Sequence, residues 1–101
     1  MKPDGFKDFI LDQLHELEEL SCRSMFGGYG LYAGDVFFGI VHKGRLYFRT
    51  NDDSREAYLK MGMAPFRPNR KMTLKNYYEV PPDVIEEAPV LLEWAGRAAG
   101  K

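Results

Sequence analysis

Arg23-Ser24-Met25-Phe26-Gly27-Gly28-Tyr29-Gly30-Leu31-Tyr32 places three glycines within four positions of an otherwise aromatic, strand-like run. An ordinary strand has no use for so many. Glycine inside a strand marks a bulge, a tight bend or a close backbone approach, so the expected structure here is a bent strand. Gly28 to Ala33 also fits the dinucleotide pattern Gly-x-Gly-x-x-Ala, with Asp52 and Asp53 near the spacing of a ribose-binding acid. That motif works only where the glycines open a helix whose N-terminus faces the pyrophosphate. These glycines run instead into a turn, Ala33-Gly34-Asp35, and then an apolar strand, so a structural bend is expected rather than a phosphate cradle.

Downstream, Val36 to Val41 is a β-branched and aromatic run of strand length. Lys43-Gly44 turns the chain back into Arg45 to Thr50, where Leu46 and Phe48 share one face and Arg45, Tyr47 and Arg49 the other. Asp53 and Glu56 have capping-box spacing and open a short helix to about Met61, which Gly62 ends. Residues 63–67 read as a short strand, 68–70 as a turn, and 72–80 as an alternating strand. Met72, Leu74, Tyr78 and Val80 are expected inward, with Thr73, Lys75, Tyr77 and Glu79 outward and Asn76 the polar inward exception. Upstream, Phe6, Phe9, Ile10, Leu14, Leu17 and Leu20 form the apolar stripe of a helix over residues 5–20, with Asp4 as its N-cap. At the other end, Pro81-Pro82-Asp83 starts a helical turn and Pro89 starts a second helix, striped by Leu91, Trp94, Ala95 and Ala98.

The order α-β-β-β-α-β-β-α(α) and the one-sided alternation predict an α+β two-layer sandwich. In it a five-stranded, mainly antiparallel sheet has helices on one face. A chain of 101 residues with 45% hydrophobic and 29% charged residues is expected to form one domain, residues 1–101, with one core. No apolar run approaches a membrane span, and the acidic N-terminal helix lacks the texture of a targeting peptide, so a cytoplasmic location is expected. A lone cysteine, Cys22, excludes an internal disulfide. The net charge of −1 is uneven: residues 1–20 and 76–101 are acidic, whereas residues 42–75 carry nine bases against three acids.

Chemistry-bearing residues are sparse. His15 and Glu19 have i, i+4 spacing, but no second ligand pair follows, and a solvated helix face explains them better. Cys22 and His42 make a nucleophile and base only if the fold unites them. No catalytic, cofactor or metal residue is assigned. The outward strand residues Arg45, Tyr47, Arg49, Lys75 and Tyr77 combine bases with aromatics on the face expected to lack helices. They are the candidate contact surface, for a protein partner first and for nucleic acid as the alternative.

Met25-Phe26-Gly27-Gly28-Tyr29-Gly30-Leu31-Tyr32, Gly44-Arg45-Leu46-Tyr47-Phe48-Arg49, Tyr77-Tyr78-Glu79-Val80-Pro81 and Leu92-Glu93-Trp94-Ala95 occur in this order over nearly the whole chain. Together they resemble the N-terminal domain of the TfoX/Sxy proteins, bacterial regulators of competence genes. The resemblance implies a non-enzymatic, cytoplasmic α+β domain with no cofactor and a regulatory protein partner or self-association. It further implies that full-length members act with the cyclic-AMP receptor protein and carry a second, helical C-terminal domain, so the expectation for this chain is a stand-alone N-terminal domain.

Overall fold

The computed structural model describes residues 5–25 and 27–100. The elements are α1 (Gly5–Gln13), β1 (Leu20–Met25), β2 (Gly28–Ala33), β3 (Val36–His42), β4 (Arg45–Arg49), α2 (Asp52–Lys60), β5 (Pro65–Asn69), β6 (Met72–Glu79), α3 (Pro82–Ile85) and α4 (Ala88–Ala98). The strands form one open antiparallel sheet in the order β1-β2-β3-β4-β6-β5. The α+β class therefore holds, with six strands in place of five.

The extra strand comes from the glycine run. Met25 pairs with Gly28, so the chain reverses at Gly27, whose φ of +76° suits a residue without Cβ. The run is a hairpin and not one bent strand; Phe26 within it lies outside the described residues. A real bend does occur one strand later. Leu31 pairs with Gly39 but Tyr32 with Phe37, leaving Phe38 as the extra residue of a bulge. Lys43 (φ +50°) and Gly44 (φ +76°) make the tight two-residue turn between β3 and β4.

Helix α1 is shorter than its apolar spacing suggests. Its last α-type bond runs from the Leu14 amide to the Ile10 carbonyl; His15 and Leu17 then bond three residues back, and Glu19 at φ +60° swings the chain into β1. Leu14 and Leu17 are buried even so. The period of three and four therefore reports a buried face that a looser turn also satisfies. Glu16, Glu18 and Glu19 would sit at the C-terminus of a longer helix, where the macrodipole disfavours acids. Asp4, the expected cap, lies outside the described residues.

Helix α2 is capped two residues earlier than the Asp53–Glu56 spacing indicates. Asn51 is its cap: the Asn51 Oδ1 accepts from the Ser54 amide at 2.8 Å and Ser54 Oγ accepts from the Asn51 amide at 3.0 Å. At its end the Gly62 amide bonds to the Leu59 carbonyl and the Met63 amide to that of Tyr58, with Gly62 at φ +76°.

The main core lies between the sheet and the four helices. Ile10, Tyr58, Val84, Leu91 and Ala95 from the helices meet Leu31, Phe38, Val41, Leu46, Phe48 and Val80 from the strands. Gly39 makes room for this packing, since a Cβ there would lie 3.1 Å from both the Phe48 ring and the Tyr47 carbonyl oxygen. A second, smaller cluster of Ile40, Tyr47 and Phe66, with Phe37, Leu74 and Tyr77 against it, is built from strands alone. Leu74 was expected in the main core. The pairing of β5 with β6 shifts between Pro65↔Tyr78 and Phe66↔Leu74, so the alternation of β6 breaks and Leu74 joins Phe66 in the second cluster.

Candidate interaction surface

On the sheet face away from the helices, half-buried rings form a continuous stripe. The Tyr32 and Phe37 centroids are 5.2 Å apart and those of Phe37 and Tyr77 are 5.3 Å apart; the Arg23 guanidinium lies 4.9 Å above the centre of Tyr32. Strand pairing explains the juxtaposition. Ser21 pairs with Tyr32 and Arg23 with Gly30 on β1 and β2, and the bulge brings Tyr32 opposite Phe37. Gly30 keeps the stripe flat, because a Cβ there would meet Met25 Sδ at 2.5 Å and the Phe37 ring at 3.1 Å. The Tyr77 hydroxyl donates to the Phe37 carbonyl oxygen at 3.3 Å. Burial, opposed by Arg49 and reinforced by Tyr32, raises the pKa of the Tyr77 phenol, which keeps it protonated as that bond requires.

The five residues expected on this face have unequal situations. Tyr47 is only 8% exposed, covered by the Phe66 ring at 4.7 Å, and burial together with Glu79 raises its pKa. Arg45 is exposed but paired with Glu79 at 3.0 Å at the end of the sheet. Arg49 turns away to donate from Nε to the Ala98 carbonyl at 3.1 Å, satisfying an orphan acceptor in the last turn of α4. Lys75 is exposed, and Tyr77 is the terminal ring of the stripe. Four of the five are thus engaged within the fold, Tyr77 through its ring and hydroxyl contacts with Phe37, and Lys75 is exposed. Sequence reading treated Tyr32 and Met25 as structural and did not select Arg23 or Phe37. A hairpin through Gly27 would have placed Arg23 on the face of Tyr32.

The fold does not unite Cys22 with His42. Cys22, half-buried, pairs with Leu31 and packs against the helix-side core, whereas the His42 ring lies edge-on to Phe66, 5.3 Å away, in the opposite cluster. His15 lies near Glu16 at 3.8 Å, while Glu19 sits in the turn into β1 and accepts from the Gly34 amide through its carbonyl. Among the described residues no group of three or more His, Cys, Asp or Glu is placed to hold a metal ion. Nor is any helix of the described residues long and apolar enough to cross a membrane.

The family model of the TfoX N-terminal domain matches residues 12–101. The chain is also 34% identical over 79 residues to the DNA transformation protein TfoX1 of Aliivibrio fischeri, a match that covers 76% of this chain. It spans 37% of that relative's length.

Proposed function

Because the chain belongs to the TfoX N-terminal domain family, we propose that it is a competence-related regulatory domain that works by binding a protein partner. The contact surface is the ring stripe Tyr32, Phe37 and Tyr77 with Arg23 over its Tyr32 end. The carrying observation is that these rings are half-buried on a sheet face without helices, with a guanidinium stacked on the end of the row. Rigid aromatics and arginine are the side chains that anchor protein interfaces, since they bring large contact area at low entropic cost. The name of the A. fischeri relative, a DNA transformation protein, supports the process. Affinity capture from the source cells tests the reading. Arg23→Glu combined with Tyr32→Ser is expected to lower retention of the captured partner at least about tenfold, a loss of roughly 1.4 kcal/mol, without unfolding the domain. Undiminished retention overturns it.

A second reading has its own observation. Arg67, Arg70, Lys71 and Lys75 are all exposed on or beside the β5–β6 hairpin, and residues 57–78 contain no acid. A basic ribbon of this kind suits a phosphate backbone. Binding to a short DNA duplex is then expected to weaken steeply with salt and to fall on Arg70→Glu with Lys71→Glu. Absence of binding at low salt removes this reading.

A further inference from the structure

The two edges of the sheet differ. At one edge β5 carries Pro65 and Pro68 and pairs irregularly with β6, which equips it poorly to accept another strand. At the other, β1 contains neither proline nor glycine and keeps unbroken register with β2 from Leu20↔Ala33 to Met25↔Gly28. Among the described residues no strand lies beyond it.

The phase of the free edge follows from one bond. The Gly34 amide donates to the Glu19 carbonyl at 3.0 Å, in line with the β1–β2 register. In an antiparallel ladder the residues that exchange bonds alternate, so Glu19, Ser21, Arg23 and Met25 direct their backbone groups toward β2. Leu20, Cys22 and Ser24 direct theirs outward.

We propose that β1 pairs antiparallel with β1 of a second copy of this chain, about a two-fold axis at Cys22, joining the two sheets into one. In this register Cys22 faces Cys22 of the other copy, Leu20 faces its Ser24, and Ser24 its Leu20. All the outward amides and carbonyls of the three residues are then satisfied. The pairs between them set Arg23 against Ser21, which avoids the like-charge contact that a shift of the axis to Arg23 would create. A shift toward Ser21 would take Ser24 off the facing strand and lose bonds. The strand is thus self-complementary in charge and in hydrogen bonding, as a two-fold interface requires. The net charge of −1 opposes association little. Each ring stripe starts beside β1, so the pairing also sets the stripes of the two copies end to end.

Sedimentation of the full chain is expected to show a dimer at tens of micromolar, with Ser24→Pro raising the dissociation constant at least tenfold. The Ser24 amide faces solvent in the monomer, so proline there leaves the β1–β2 ladder intact, and an unchanged circular dichroism spectrum checks it. A second measurement does not depend on tolerance of proline. In a Cys22→Ser background, Ser21→Cys and Arg23→Cys chains are mixed and mildly oxidised. The mixture is expected to give disulfide-linked dimers that neither chain gives alone, since these positions face each other only between copies. A monomer throughout, a dimer insensitive to Ser24→Pro, or cross-linking no greater in the mixture than in either chain alone overturns the proposal.

Discussion

Phe66→Ala is expected to lower stability by about 4 kcal/mol, the usual cost of deleting a fully buried phenyl ring. In a domain of this size the loss corresponds to a fall in melting temperature of roughly 20 °C. Phe66 is 1% exposed although it sits on the edge strand β5. Its ring covers Tyr47 at 4.7 Å and His42 at 5.3 Å, and Ile40 completes the cluster. β5 pairs irregularly with β6, and this ring adds to that pairing a packing contact with His42 on β3 and Tyr47 on β4. Removing it opens a cavity and loosens the strand. Thermal and urea denaturation measure the effect, and Phe66→Leu should retain more than half of the stability lost by alanine. A loss below about 1 kcal/mol for alanine would mean that the second cluster does not hold the hairpin.

Gly28→Ala is expected to cost about 3 kcal/mol, at the upper end of the range for overpacking. The cause is not backbone freedom, since Gly28 has no positive φ. A Cβ at this position would overlap the Val41 carbonyl oxygen of the neighbouring strand, and backbone in a paired ladder cannot rotate aside. Gly30→Ala is a matched control. There the added methyl first meets Met25 Sδ, the flexible end of a side chain, so the expected cost is about 1 kcal/mol. Gly27→Ala is expected to cost about as much through its φ of +76°, with open space around it. Equal melting temperatures for the Gly28 and Gly30 variants would contradict this account of the glycine run.

The layer structure was legible because alternation along Arg45 to Thr50, the turn at Lys43-Gly44 and the stripe Leu91, Ala95 and Ala98 each state one buried face. What escaped was register. Residues 20–25 include Ser21, Arg23 and Ser24, polar enough to hide an edge strand behind a helix-like spacing of leucines. The bulge at Phe38 and the shift in β6 are long-range pairing effects that propensity does not carry. For the same reason the five residues expected to make the contact surface do not coincide with the stripe of rings. Tyr47 and Arg49 alternate outward, yet Phe66 closes over the first and the end of α4 captures the second. Arg23 joins Tyr32 only once the Gly27 hairpin is known.

The central claim is that the ring-lined sheet face, and not the helix layer, carries the regulatory contact. Its most direct test is an equilibrium titration of the identified partner against two variants. One is Arg23→Glu with Tyr32→Ser on the sheet face. The other is Glu93→Lys with Arg97→Glu, which exchanges the ends of the exposed 3.1 Å ion pair on α4 and preserves its charge balance. The first is expected to raise the dissociation constant at least tenfold while the second leaves it within about twofold of the unsubstituted chain. A loss confined to the α4 variant, or equal affinity for both variants and the parent, would contradict the claim.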